Sequence, residues 1–285
     1  MPMFVTSSLE LYYEIHGNGP NLVLVSGLGG GTWSWYGQIP FFSRHYRTIV
    51  FDNRGAGRSF IPPGPYTMLD FAQDTLALLD HLKVHRCFMV GLSMGGMIAQ
   101  ETALLDPDRF EALVLGCTHA GGPRRVSPSS EVLARFMDNK GLTQEEVVTK
   151  NLPFFFSADA FAHHREVIEE YRRVQINAPF QSEEAFFGQL TAIQNFDASG
   201  RLTQLRIPTL VVTGTEDLLV PAANAHVLFE LLPNALLVEL EAAGHAIHFE
   251  CREALNALIH AFFADPVTES RKFPKKRRIS CSRPQ

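Results

Sequence analysis

The sequence predicts an α/β fold, in which an eight-stranded, mostly parallel sheet carries helices on both faces. Strands buried on both faces of a parallel sheet are typically short, nearly continuous apolar runs. Residues 9–17 (LELYYEIHG) alternate in hydrophobicity instead, which predicts an antiparallel hairpin at one edge. Six runs have the buried character, at residues 21–28, 47–53, 87–93, 111–118, 208–215 and 235–244.

Helical patterns separate these apolar runs, and this alternation requires parallel strands joined by crossovers. Residues 67–82 begin with a Thr-x-x-Asp capping pattern and continue with apolar residues spaced three and four apart. Residues 94–106 follow a strand directly and stop before Pro107. Residues 252–264 form the last predicted helix of the domain.

The alternation stops between residues 121 and 200, where helical patterns occur without strands. We therefore predict an all-helical insertion that forms a lid over the carboxyl edge of the sheet, where open α/β sheets bind their ligands. Residues 1–120 and 201–264 then form the two parts of the core domain. Residues 265–285 are basic and poor in aliphatic residues, and we predict that they are disordered.

Length and composition suffice for one large domain with a sizeable core, or for one domain with an inserted cap. The chain has 285 residues, 46% of them hydrophobic, and a net charge of −5 that gives no indication of nucleic-acid binding. Residues 266–285 hold seven Lys or Arg and one Glu, a formal charge of +6, so the rest carries −11. We interpret this tail as a solvated appendage, although a tether to nucleic acid or to an anionic membrane is an alternative.

The cysteines and the N-terminus predict a cytoplasmic protein without a metal centre. Cys87, Cys117, Cys251 and Cys281 form no CxxC pair, and we expect reduced thiols, with Cys87 and Cys117 buried. The N-terminus lacks the pattern of a signal peptide. No apolar run reaches the ~18 residues of a membrane span. We predict no cofactor, and either a monomer or a homodimer.

The stretch GLSMGG at residues 91–96 places Ser93 between a buried strand and a helix. A sharp strand-to-helix turn needs small neighbours, here Gly91 and Gly95, and it exposes the serine hydroxyl above the sheet edge. Because a G-x-S-x-G pattern also arises by chance, the rest of the chain must supply a base and an acid. Ser93 is the candidate nucleophile.

A serine hydroxyl needs a base, and the base needs an acid that fixes its tautomer. His245 follows the last apolar run directly after Gly244, and we prefer it to His248, which we expect to pack or cap. Asp217 follows the preceding strand and is preferred to Glu216. The chain order of Ser93, Asp217 and His245 is nucleophile, acid, base, as in sheets of this kind.

Backbone N–H groups must also stabilise the oxyanion of a tetrahedral intermediate. The residue after the nucleophile, Met94, supplies one candidate. The glycine-rich segment SGLGGG at residues 26–31 supplies the other, at Leu28. A phosphate-binding loop is the alternative, but this segment has neither G-K-[ST] nor G-x-G-x-x-G.

With these motifs, residues 3–264 resemble the α/β-hydrolase superfamily. The segment DNRGAGRS at residues 52–59 is similar to the family's D-x-R-G-x-G-x-S loop, and residues 196–221 are similar to its return from lid to core. Ser26-Gly27 stands where many relatives carry His-Gly, a variation found in lactonase-like and aminoacrylate-hydrolase-like members. A serine nucleophile differs from the aspartate of haloalkane dehalogenases and epoxide hydrolases. We expect Asp52 and Arg54 to support the loop beside the site.

The resemblance implies a cofactor-independent serine hydrolase that acts on a small ester or lactone with an apolar part. Trp33, Phe154 and Phe155 are the candidate substrate contacts, although packing inside the lid or against the sheet is the alternative for each. Arg124 and Arg125 are interpreted as a surface pair that could instead meet a substrate carboxylate, and His119 as structural. A carbon–carbon bond hydrolase, an aminoacrylate-hydrolase-like enzyme and a non-catalytic ligand receptor remain alternatives.

Overall fold

A computed structural model describes residues 2–6, 9–266 and 275–281 of the chain. In this part of the chain, nine strands form one sheet in the order β1-β2-β4-β3-β5-β6-β7-β8-β9. The strands are β1 (Met3–Val5), β2 (Glu10–His16), β3 (Asn21–Val25), β4 (Arg47–Phe51), β5 (Cys87–Leu92), β6 (Phe110–Gly116), β7 (Thr209–Gly214), β8 (Ala235–Glu241) and β9 (Lys276–Ser280).

The sheet is parallel from β4 through β9, and β1 and β2 add an antiparallel edge. The helices are α1 (Ile39–Phe42), α2 (Met68–His81), α3 (Met94–Leu105), α4 (Ser130–Met137), α5 (Gln144–Phe155), α6 (Ala158–His163), α7 (Arg165–Ile176), α8 (Glu183–Gln194), α9 (Ala223–Leu231), α10 (Ile247–Glu250) and α11 (Arg252–Ala264). The predicted mostly parallel α/β fold is therefore confirmed.

Alternating strand residues enter two separate cores, one on each face of the sheet, as the pleat requires. On one face, Val23 and Met89 pack with side chains of α2, α3 and α9. On the other face, Leu24 and Val90 pack with side chains of α1 and α11. The predicted capping pattern is also confirmed: Thr67 and Asp70 form a reciprocal capping box at the start of α2.

The helical insertion holds α4 to α8 and no strand, since all of residues 121–200 are described. An isolated bridge between Gly121 and Asp197 joins its two ends, and Ala198 N–H donates to Ala120 O at 2.8 Å. Leu152 and Tyr171 of the insertion share a small core with Phe249 of α10. The insertion therefore packs directly on the chain that follows β8.

The expectation of a disordered tail over residues 265–285 is wrong for Lys276–Ser280, which form the ninth strand beside β8. Charge alone suggested disorder, but the strand uses backbone groups to cover the edge of β8, and an uncovered edge is unfavourable. Arg278 Nε also donates to Glu239 at 3.1 Å, and Lys276 Nζ lies 4.8 Å from the ring centroid of Phe229. The tail's residues 267–274 and 282–285 lie outside the described residues.

A disulfide joins Cys251, at the start of α11, to Cys281, directly after β9. The expectation of four reduced thiols is therefore wrong for this pair, because β9 brings together two cysteines that are 30 residues apart in the chain. Cys87 and Cys117 are free and buried, as predicted. Among the described residues, no helix is both long and apolar enough to cross a bilayer.

Thiol titration tests the disulfide. Protein purified without reductant and unfolded in guanidinium chloride should show two reactive thiols per chain, from Cys87 and Cys117, and four after reduction. In a Cys281→Ser variant we expect three thiols both before and after reduction. Four thiols in the unreduced wild-type protein would contradict the pairing.

Candidate active site

Ser93 is the single residue between β5 and α3, and its backbone adopts φ 56° and ψ −122°. A positive φ is uncommon for a residue with a side chain and costs roughly 1–3 kcal/mol, so surrounding structure must hold it. The Ser93 N–H donates to Gly116 O on the neighbouring strand at 2.8 Å. The predicted strand-to-helix turn is thus present and anchored to β6.

The glycines around Ser93 leave space for backbone that passes very close by. A Cβ at Gly91 would overlap the backbone of Gly95. A Cβ at Gly95 would overlap the carbonyl of Val25 and lie 2.8 Å from that of Ser26. The turn therefore excludes any side chain at both positions, as the sequence predicted.

His245 and Asp217 form a buried hydrogen bond, in which His245 Nδ1–H donates to Asp217 Oδ2 at 2.7 Å. The other carboxylate oxygen of Asp217 accepts the N–H groups of Leu219 and Val220 at 2.9 and 2.8 Å. Three donors thus fix the carboxylate of Asp217, which in turn orients the imidazole. Glu216 turns elsewhere and accepts the N–H of Ala158 at 3.0 Å.

Ser93, Asp217 and His245 follow β5, β7 and β8, so all three lie at the carboxyl edge of the sheet. Cys117 lies in the same region, because it directly follows Gly116, whose carbonyl accepts the Ser93 N–H. Ligand atoms of Cys117, Asp217 and His245 lie within 4.8 Å of one another. Within the described residues, Ser93 Oγ has no hydrogen-bond partner, so its contact with His245 stays a prediction.

Sequence reasoning missed the position of Cys117, which it treated as a small buried hydrophobic residue. The buried thiol contacts Asp217, and burial raises the pKa of Cys117 well above its usual value. A metal ion requires the thiolate. The chemistry of this cluster therefore fits a metal poorly, since burial disfavours the thiolate of Cys117 and both oxygens of Asp217 already accept hydrogen bonds.

The glycine-rich loop after β3 lies against Ser93. A Cβ at Gly27 would lie 3.1 Å from Ser93 Cβ and 3.6 Å from Ser93 Oγ. Within the described residues nothing accepts a hydrogen bond from the N–H of Leu28, the next residue. Met94 begins α3, so its N–H has no acceptor within that helix. Leu28 and Met94 are therefore backbone donors without an acceptor among the described residues, and their role in an oxyanion hole stays a prediction.

The loop at residues 52–59 supports the glycine-rich loop, as expected for Asp52 and Arg54. Asp52 is fully buried and accepts the N–H of Thr32 at 2.7 Å and that of Arg58 at 2.9 Å. Arg54 forms a bidentate pair with Asp74 of α2 at 2.5 and 2.6 Å. Asp52 thus joins the two loops, and Arg54 fixes the 52–59 loop to α2.

The three candidate substrate contacts have different surroundings. The Phe155 ring lies 5.7 Å from that of His245, edge to face. Phe154 is buried inside the insertion, 6.3 Å from the ring of Phe136. Trp33 lies between the two loops, near Gly31 and Gly57. Phe155 is thus the one of the three with a contact to His245.

Two other histidines pack inside the fold, of which His119 is buried and His248 is half-buried. His248 packs 5.8 Å from Trp35 and 4.8 Å from Phe249, as expected for the residue that was not preferred as base. Burial lowers the pKa of His248 to about 3, with a further contribution from His245. Burial also lowers the pKa of His119 to about 3, and the His119 Nδ1 accepts the N–H of Gly121 at 3.0 Å.

The adjacent arginines after β6 differ from each other. Arg124 is exposed and pairs with Glu230 of α9, as expected for a surface pair. Arg125 is half-buried, and its Nε is a buried donor that no described residue accepts. Burial lowers the pKa of Arg125 without an acid to offset it, and its charge is close enough to lower the pKa of His119. Among the described residues, Arg125 is therefore a cation without an acidic partner.

The chain belongs to the alpha/beta hydrolase fold family, whose model matches residues 20–250. The putative carbamate hydrolase RutD of Serratia proteamaculans is 34% identical over 255 residues, which cover 87% of this chain and 94% of that protein. The enol-lactonase of Burkholderia xenovorans LB400 superposes with a TM-score of 0.81 at 30% identity, covering 93% of this chain and all of that one.

A thermophilic esterase from Thermogutta terrifontis superposes with a TM-score of 0.76 at 27% identity, covering 90% of this chain and 94% of that one. The named relatives of this chain are thus hydrolases. Their names indicate different bonds, so they do not define the substrate of this chain.

The low pKa of His248 predicts an acid-dependent loss of stability. Between pH 7 and pH 5 the unfolded chain binds a proton at this histidine and the folded protein does not, so unfolding is favoured as the pH falls. We expect about 2 kcal/mol of the wild-type loss in this range to disappear in His248→Phe, measured by urea denaturation. An equal loss in both proteins would contradict the neutral state of His248.

Proposed function

We propose that this protein is a cofactor-independent serine hydrolase that cleaves a small carboxylic ester or lactone. Ser93 is the nucleophile, His245 the base and Asp217 the residue that orients and stabilises it. The observation that carries the proposal is the buried His245–Asp217 hydrogen bond of 2.7 Å at the sheet edge where the strained Ser93 turn also lies. These are the parts that acyl transfer requires.

The reaction follows from these positions. His245 Nε2 removes the hydroxyl proton as Ser93 Oγ attacks the substrate carbonyl carbon. The N–H groups of Leu28 and Met94 stabilise the resulting oxyanion. The tetrahedral intermediate collapses as His245 gives its proton to the leaving oxygen, and an acyl-enzyme forms. Water, deprotonated by His245, then attacks the acyl carbon. The acid is released as the bond to Ser93 Oγ breaks and His245 returns the proton to that oxygen.

Three named relatives support this class of reaction. An esterase, an enol-lactonase and a putative carbamate hydrolase each have names that indicate attack at a carbonyl bonded to a heteroatom. The Phe155 ring beside His245 supports a substrate with an apolar part next to the scissile bond. Trp33 and Phe154 stay predictions as substrate contacts. The cytoplasmic location and the monomeric or homodimeric state also stay predictions.

A carbon–carbon bond hydrolase or an aminoacrylate-hydrolase-like enzyme is the second candidate, since such substrates carry a carboxylate. The unpaired, half-buried Arg125 favours a substrate with that charge. The same residue is also compatible with an ester or lactone that has a distal carboxylate. A non-catalytic receptor is the least consistent with the hydrogen-bonded His245 and Asp217.

Replacing the nucleophile tests the proposed function. We expect Ser93→Ala to lower kcat by ~10⁴–10⁶-fold on its best substrate from a panel of p-nitrophenyl esters, lactones and dienoates. The fold should be unchanged, because Ala removes only the hydroxyl. Ester cleavage that survives in Ser93→Ala would refute the proposal.

The role of Arg125 is tested by comparing an anionic with a neutral ester. We expect Arg125→Gln to lower kcat/KM for p-nitrophenyl hemiglutarate by about 10–100-fold, the value of a charge-assisted hydrogen bond, and to leave p-nitrophenyl butyrate nearly unchanged. Arg124→Gln is the matched control, since Arg124 is exposed and already paired with Glu230. Equal losses on both esters, or no loss, would exclude a carboxylate contact at Arg125.

A further inference from the structure

The end of α5 and the start of α6, residues 155–158, touch the loop that carries His245; we call this segment the lid junction. Ala246 N–H donates to Phe155 O at 2.8 Å, and the Phe155 ring packs against that of His245. A Cβ at Gly244 would lie 2.6 Å from Phe155 O and 2.8 Å from the carbonyl carbon of Phe156. The residues on both sides of His245 thus contact the insertion.

A buried carboxylate, that of Glu250 at the end of α10, joins the same two segments. Its Oε2 accepts Gly244 N–H at 3.0 Å and Ser157 N–H at 3.4 Å, and its Oε1 accepts the Ser157 hydroxyl. Glu250 is 8% exposed. In the described part of the chain it has no cationic partner within 4 Å, and burial raises its pKa.

A buried carboxylate without a cation depends on its hydrogen bonds, since leaving even one donor or acceptor unpaired is costly. The donors to Glu250 come from two parts of the fold. One is Gly244, directly before His245, and the other is Ser157 of the lid junction, between α5 and α6. Moving either segment would therefore break bonds to Glu250.

We propose that Glu250 is a positioning residue that fixes His245 to the lid junction, so that the base is aligned with Ser93 only when the lid is seated. This inference rests on the proposed function, because it takes His245 as the base. Proton transfer needs a heavy-atom separation of about 2.6–3.2 Å. A misplacement of about 1 Å can cost 10²-fold in rate. The Gly244–Glu250 bond therefore acts on turnover although Glu250 touches neither Ser93 nor the substrate.

The test uses Glu250→Gln, which keeps the volume but replaces one acceptor oxygen with an NH₂ donor. With p-nitrophenyl acetate, we expect kcat to fall by about 10–100-fold and KM to change less than about threefold. Ser157→Ala leaves the carboxylate intact and removes one of its donors, so it should give a smaller loss of kcat. It also keeps the test valid if Glu250→Gln does not fold.

Two comparisons separate positioning from a general loss of structure. Ser157 also caps α6 by accepting Ala160 N–H, and Ser129 caps α4 in the same way through Val132 N–H. The Ser129→Ala control should therefore keep kcat within about twofold if only the cap is lost. In a His245→Ala background, Glu250→Gln should have no further effect on the residual rate, because its action passes through the imidazole.

Normal kcat in both Glu250→Gln and Ser157→Ala would overturn the proposal, and so would an equal loss from Glu250→Gln with and without His245. Ser93→Ala is measured in the same series. If that variant still cleaves the ester, the proposed function fails. If it is inactive while Glu250→Gln is normal, only the role of Glu250 fails.

Discussion

The strained turn at Ser93 is the constraint on which the rest of the site depends. Its positive φ is held by the N–H bond to Gly116 on β6 and by backbone that passes where side chains at Gly91 and Gly95 would be. The glycine-rich loop also packs closely on Ser93, since a Cβ added at Gly27 would lie 3.6 Å from the Ser93 hydroxyl oxygen. The strained backbone of Ser93 is thus held by neighbouring backbone of β3, β5 and β6.

The sheet places Asp217 and His245, and the insertion supplies side chains that contact the loop of His245. Parallel strands β7 and β8 end at the same edge as β5 and place Asp217 and His245 there. Phe155 and Ser157 of the insertion contact the His245 loop directly and through Glu250. The buried bond between His245 and Asp217 therefore lies next to the contact between the core and the insertion.

Short sequence patterns predicted those parts of the fold that depend mainly on residues close together in the chain. The buried strands, the Thr67–Asp70 capping box and the Ser93 turn each have a short-range signature, and the structure contains them. Contacts that depend on tertiary packing had no such signature. Nothing near Cys117 indicates its contact with Asp217, and nothing near Glu250 indicates Ser157. The strand at Lys276–Ser280 was not predicted, because its charged side chains are typical of a disordered tail. Its pairing with β8 uses backbone groups, which leave no pattern in the sequence.

The central claim is that Ser93 is activated by His245 at this edge of the sheet, and covalent labelling tests it most directly. A fluorophosphonate reacts with an activated serine, and intact mass with peptide mapping identifies the site. The account predicts one adduct per chain, on Ser93, with a labelling rate at least about a hundredfold lower in His245→Ala. An unlabelled wild-type protein, or an adduct elsewhere with Ser93 unmodified, would contradict it.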